Sequence, residues 1–173
     1  ILGMTPLKYF TIFLKDKLYD SIRFNNSSED YLGRFYGEFM SYSGGDGQTL
    51  GIVLTPKHIT DLFCKLADLK DDDIVLDPCC GTGGFLISAM HEMVQKIKES
   101  NIGENSKQNK IKNIKQKQLH GIELQPYMFT IATTNMILRG DGKSNIINEN
   151  FLSQESGTLQ LKQANVGMMN PPY

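Results

Sequence analysis

The sequence predicts an α/β domain in which an open, largely parallel sheet is wound with helices and preceded by a small helical region. Three observations predict it. Short apolar runs, "IVLDP" at 74–78 and "QLHGIEL" at 118–124, alternate with longer stretches of helical periodicity. The cluster Gly81-Thr82-Gly83-Gly84 joins the first run to a helix, the position at which an open α/β sheet receives a ligand. The 173 residues, 40% hydrophobic and 21% charged, have the composition of a folded body.

The elements follow in order. From Leu7 to Met40 the residues Phe10, Phe13, Leu14, Leu18, Ile22, Tyr31, Leu32, Phe35, Tyr36 and Phe39 recur at helical spacing. They fit two helices broken at Asn25-Asn26-Ser27-Ser28, with the aromatic stripe packed as core. A glycine-rich loop, Ser41 to Gly51, closes this part. We therefore divide the chain into a helical region and loop, 1–50, and a core, 51–173.

The core opens with "TPKHITDLFCKLADL". Thr55 is the expected N-cap, Pro56 the first helical residue, and Ile59, Leu62, Phe63 and Leu66 the buried face. Asp71-Asp72-Asp73 ends this helix and the first strand follows. After the glycine cluster a helix is expected from Phe85 to about Ile97. Residues 98–117, rich in Lys, Asn and Gln, read as a solvated, partly disordered insertion. "QLHGIEL" is then the second strand, "QPYMFTIATTNMILRG" a helix, "NIINENFL" a third strand region and "NVGMMN" a fourth.

The bulk properties exclude several functions. A net charge of −1 gives no global attraction for a phosphate backbone, so any DNA affinity must be local or lie outside this sequence. Three cysteines, two of them adjacent at Cys79 and Cys80, suit neither a disulfide framework nor a zinc site, and no metal is expected. The same cysteine usage leads us to expect a reducing, cytoplasmic compartment, and with no apolar run near the roughly 20 residues needed to span a bilayer we expect no membrane partner. The start at Ile1 and the stop after Tyr173 lead us to expect a fragment.

Three motifs carry chemistry. Asp77 ends a strand, and the following glycines allow the backbone to turn tightly against a ligand, or simply to join strand and helix. Their spacing is not the G-x-G-x-x-G of dinucleotide sites. Glu123 ends the second strand, where a carboxylate can accept from both ribose hydroxyls of a nucleoside or stand exposed to water. It lies farther from the turn than the usual roughly 20 residues, and the 98–117 insertion accounts for the excess. Last, Asn170-Pro171-Pro172-Tyr173 combines an amide, rigid carbonyls and an aromatic face, which can grip a flat hydrogen-bonding ring or form a stiff turn.

In this order, "GIVLTPKHITDLF", "VLDPCCGTGGFLISA", "HGIELQP" and "NPPY" resemble the main motifs of S-adenosylmethionine-dependent DNA methyltransferases that modify the adenine amino group. The resemblance runs from about Tyr31 to Tyr173 and is greatest to the modification subunit of type I restriction systems. A fused nuclease and methylase is a more distant alternative. The resemblance implies a Rossmann-like class I methyltransferase open sheet, truncated at its C-terminus, and S-adenosylmethionine as cofactor. It implies cofactor contacts from Thr55, Pro56, Asp77, Gly81, Thr82, Gly83, Gly84, Glu123, Asn150 and Phe151. Asn170, Pro171, Pro172 and Tyr173 would act on an adenine flipped out of double-stranded DNA. A specificity subunit and a restriction subunit are the implied partners. Two departures are visible: "GIVL" precedes Thr55 where the family commonly has an aromatic, and Asn150-Phe151 stands where an acidic residue is frequent. The alternatives are a non-catalytic cofactor-binding or subunit-packing module and methylation of RNA or of a protein glutamine.

Overall fold

The computed structural model describes residues 5–19, 30, 32–35, 54–140, 145–153 and 163–171. The expected helix break at 25–28, the loop at 41–51, and Pro172 and Tyr173 lie outside the described residues.

Four strands form one sheet: β1 (Val75–Asp77), β2 (Leu119–Glu123), β3 (Ile146–Asn148) and β4 (Val166–Gly167). Their order is β3-β2-β1-β4 and every pairing is parallel. Asp77 lies opposite Gly121, and Glu123 opposite Asn148. All residues of β1 and β2 are buried, as helices on both faces of a parallel sheet require. The chain runs outward from β1 through β2 to β3, then returns to the other side of β1 as β4. The crevice at the carboxyl ends of β1 and β4 is therefore the switch point of the sheet.

Around the sheet lie α1 (Pro6–Leu14), α2 (Lys57–Leu66), α3 (Gly84–Glu99), α4 (Glu104–Asn113) and α5 (Pro126–Leu138). Residues 32–35 form one further helical turn. Helix α3 is the centre of the core: Leu86, Ala89, Met93 and Ile97 pack with Val75, Leu119, Ala132 and Met136. On α5 the buried residues Met128, Ala132, Asn135 and Met136 follow one helical stripe, with a single amide among apolar neighbours.

Several expectations are corrected. The insertion is not a disordered loop: α4 is followed by a π-helical turn, Ile114–Gln118, that leads directly into β2. Ile114 is buried and Ile111 packs on the core. The Gln118 amide donates to the carbonyls of Asp71 and Asp73 at 3.0 and 2.8 Å, and Lys110 pairs with Asp71. On α2 the buried residues are Thr60 and Cys64, whereas Leu62, Phe63 and Leu66 are exposed. Small side chains explain this, because Thr60 sits against Gly84 and shares a 2.7 Å hydrogen bond with Ser88, which brings α2 close to α3. Phe63 keeps an aromatic contact, its ring centroid 5.5 Å from that of Phe85. Likewise α1 buries no residue, so Phe10 and Phe13 are not core. Pro56, with extended backbone angles, is the cap of α2, which releases the Thr55 hydroxyl for another bond. The third strand is three residues long, and Phe151–Ser153 is a 3₁₀ turn beyond it.

Candidate active site

The site is built where β1 ends. Val75 to Asp77 enter the turn fully buried, and the chain reverses through Gly81 (φ 54°) and Gly83 (φ 87°), left-handed positions that cost glycine little. Gly83 then caps α3. The turn is pinned from below, since Cys80 N–H donates to the Ile122 carbonyl at 3.0 Å and Gly83 N–H to the Cys80 carbonyl at 2.7 Å. Gly121 packs closely beneath it: a Cβ there would lie 3.0 Å from both Cys80 Sγ and Leu86 Cδ1, so those side chains would have to give way by a few tenths of an ångström.

Glu123 is 9% exposed and bridges two motifs. Its Oε2 accepts from Gly81 N–H and its Oε1 from Gln125 N–H, each at 2.8 Å. A carboxylate offers about four acceptor positions, so two stay available for a ligand diol. Asp77 is 1% exposed and, among the described residues, its Oδ1 accepts from Cys79 N–H at 3.1 Å. Burial, reinforced by the Glu123 charge and opposed by the Cys79 bond, pushes its carboxyl up to about 7. Among the described residues neither carboxylate is ion-paired with a lysine or arginine. Two buried acids without a cation, beneath a turn where a Cβ on Gly81 would meet nothing within 4 Å, suit a cationic nucleoside.

The second half of the site follows β4. Met168 N–H donates to the Leu76 carbonyl at 3.0 Å, which sets Asn170 beyond the same sheet edge as Asp77. The Asn170 amide nitrogen donates to Thr55 Oγ1 at 3.1 Å, so the first and last motifs meet across 115 positions of chain. Pro56 and Pro171 are exposed beside them.

Other expected residues lie differently. Thr82 is buried with its hydroxyl donated to Asp30 and its carbonyl accepting from the Asn135 amide at 2.9 Å. Asn150 turns its side-chain oxygen back to Leu152 N–H at 3.0 Å, and Phe151 is half-buried in the 3₁₀ turn. Instead Asn148 reaches β2, donating to the carbonyls of Glu123 and Leu124 at 2.7 and 3.0 Å. Sequence reasoning missed Asn148, Asp30 and Asn135. The one available signal was Asn135, an amide inside the otherwise apolar stripe of α5. Cys79 and Cys80 carry free thiols, both raised first by burial, and no cluster of metal-ligating side chains occurs among the described residues.

A parallel sheet of order β3-β2-β1-β4 with a glycine turn after β1 is one side of a Rossmann-like open sheet, the architecture that class I methyltransferases share with other nucleotide-binding folds. The chain belongs to the N-6 DNA methylase family, whose model matches residues 27–173. Enzymes of this family take their methyl group from S-adenosylmethionine. The chain is 51% identical over 172 residues to the type II restriction enzyme and methyltransferase RM.BcgI of Heyndrickxia coagulans, covering 99% of this chain and 26% of that protein. It is 28% identical over 156 residues to the methylase subunit of the type I restriction enzyme EcoEI of Escherichia coli, covering 89% and 30%. Of the two architectures the sequence suggested, identity is thus higher to the relative named for both activities. Among solved structures, a modification subunit assigned to a type I restriction enzyme of Vibrio vulnificus superposes with a TM-score of 0.56 at 26% identity, over 73% of this chain and 25% of that one. The EcoKI modification protein gives 0.57 at 18% identity, over 95% and 42%, and speaks to the fold alone. The chain thus spans less than a third of the length of either of these two curated relatives, 26% and 30%.

Proposed function

We propose that the protein carrying this chain transfers a methyl group from S-adenosylmethionine to the N6 amino group of adenine in DNA, as the modification activity of a restriction-modification system. The observation that carries the reading is the Thr55–Asn170 bond at the switch point, beside the Asp77, glycine-turn and Glu123 cluster. Free acceptor positions on Glu123 suit the ribose hydroxyls, and the buried charge of Glu123 and Asp77 suits a cationic cofactor. When bound, that cofactor supplies an electrophilic methyl group.

The adenine amino nitrogen is a weak nucleophile because its lone pair is delocalised into the ring. Acceptors for both of its hydrogens localise that pair. With its nitrogen held by Thr55, the Asn170 amide has its oxygen left to accept one hydrogen, and the Pro171 carbonyl is the second acceptor. Proline fixes that carbonyl in advance, so little reorganisation is needed as charge develops. Tyr173 is proposed to stack on the base, which must leave the duplex to reach the site. The helices give no membrane reading, since none among the described residues is long and apolar enough to cross one; a DNA substrate implies the cytoplasm.

A specificity partner is part of the proposal. The 51% identity to a relative named as both restriction enzyme and methyltransferase favours a restriction activity in the same polypeptide over a separate restriction subunit. Tritiated methyl transfer from S-adenosylmethionine to DNA, RNA and protein tests the reading. Label in N6-methyladenine of DNA is expected; label confined to RNA or to protein glutamine contradicts it.

A further inference from the structure

The strongest unassigned feature is a polar cluster behind the glycine turn. Asp30, from the N-terminal region, reaches three parts of the chain at once. Its Oδ1 accepts from Gly33 N–H at 2.8 Å and from Asn135 Nδ2 at 2.7 Å, and its Oδ2 accepts the Thr82 hydroxyl. The same Asn135 amide also donates to the Thr82 carbonyl at 2.9 Å. Arg139 holds the amide from the other side, its Nη1 donating to Asn135 Oδ1 at 3.1 Å and to the Asn135 carbonyl at 2.9 Å. Asn135 and Arg139 are almost wholly buried and Thr82 nearly so.

Gly33 leaves room for this arrangement. An ideal Cβ on Gly33 would lie 2.6 Å from Asp30 Cγ and 2.8 Å from Thr82 Oγ1, so any side chain there must displace the carboxylate or the threonine. Thr82 is the residue between the two left-handed glycines, and both its hydroxyl and its carbonyl are tied into the cluster. Gly81, one residue earlier, presents the N–H that holds Glu123. A buried network in which each member is bonded fixes a single geometry, and losing one member loosens the rest.

We propose that Asp30 is a positioning residue for the cofactor turn, clamping Thr82 and Asn135 so that Gly81 and Glu123 are held ready for S-adenosylmethionine. Asp30 and Gly33 then act as part of the methyltransferase site, and the effective boundary of the core lies before residue 30 rather than at 51. The inference rests on the methyltransferase reading and adds a residue that touches neither cofactor nor base.

The test is cofactor affinity and steady-state kinetics of the full-length protein with Asp30→Ala and with Gly33→Ala, the second removing no polar group. Both should raise the Kd for S-adenosylmethionine by about tenfold or more, while kcat at saturating cofactor stays within about threefold of wild type. Thr82→Val should add little to Asp30→Ala, because both break one network. Ile111→Ala, on α4 at the amino-terminal edge of the sheet, serves as the control that lowers Tm without changing Kd. Asp30→Ala and Gly33→Ala proteins that lose stability like the control but bind cofactor within about twofold of wild type would overturn the clamp alone. A wild-type protein that does not bind S-adenosylmethionine would overturn the methyltransferase reading and the clamp with it.

Discussion

Replacing Asp77 by Asn removes one buried charge while keeping the acceptor that faces Cys79 N–H. The Asp77 carboxyl is shifted from 3.8 to about 7, chiefly by burial. A folded value above the unfolded one means that folding takes up a proton. The associated stability is fully present below about pH 4 and is lost as pH rises to about 7, where the loss levels off. At about 1.4 kcal/mol for each tenfold change in proton affinity, the whole change is of the order of 4 kcal/mol. Asp77→Asn should lack this fall, so its advantage over wild type should grow between pH 4 and pH 8 towards that figure. Hydrogen exchange at the β1 amides Val75 to Asp77, corrected for intrinsic rates, reads the stability of this sheet without requiring the whole protein to unfold in one step. The reasoning is refuted if the variant and wild type keep a constant stability difference across that range. The same charge should matter to the ligand. A cation arriving beside Asp77 favours its ionised form, so cofactor binding near pH 7 should release protons, seen as a buffer-dependent binding enthalpy that Asp77→Asn abolishes.

Two further outcomes are expected at the turn. Glu123→Gln can satisfy only one of the two N–H groups that the carboxylate now holds and presents an amide NH₂ to the other. Cofactor binding should weaken by roughly 1.5–3 kcal/mol in calorimetry, and an unchanged Kd would remove Glu123 from the site. Replacing Cys79 and Cys80 together by Ala should leave cofactor affinity within about tenfold, roughly 1.4 kcal/mol. Stoichiometric zinc in the purified protein would instead give the pair a metal role.

How much of this was legible in the sequence depended on which force decided each element. The strands and their turn were readable because β1 and β2 are buried on both faces and the left-handed positions at 81 and 83 fall on glycine. Glu123 was readable as a strand-end acid, although its two backbone partners were not. The buried face of α2 was misread because counting apolar residues favours Leu62 and Leu66, whereas close helix packing selected the smaller Thr60 and Cys64. Helix α4 carries too little apolar surface to announce itself and is held by Ile111, Ile114 and the contacts of Lys110 and Gln118 with the 71–73 turn. The bonds from Asp30 to Thr82 and Asn135 span 52 and 105 positions. No local pattern encodes contacts at such separations.

The central claim is that Asn170 acts on the reacting base rather than on the cofactor. The most direct measurement compares methyl transfer to DNA with cofactor binding for the full-length Asn170→Ala protein. Because the amide oxygen contributes mainly in the transition state, transfer should fall by about a hundredfold or more, with the Kd for S-adenosylmethionine within about threefold of wild type. Turnover close to wild type would contradict the account and leave the segment after β4 as no more than a stiff turn.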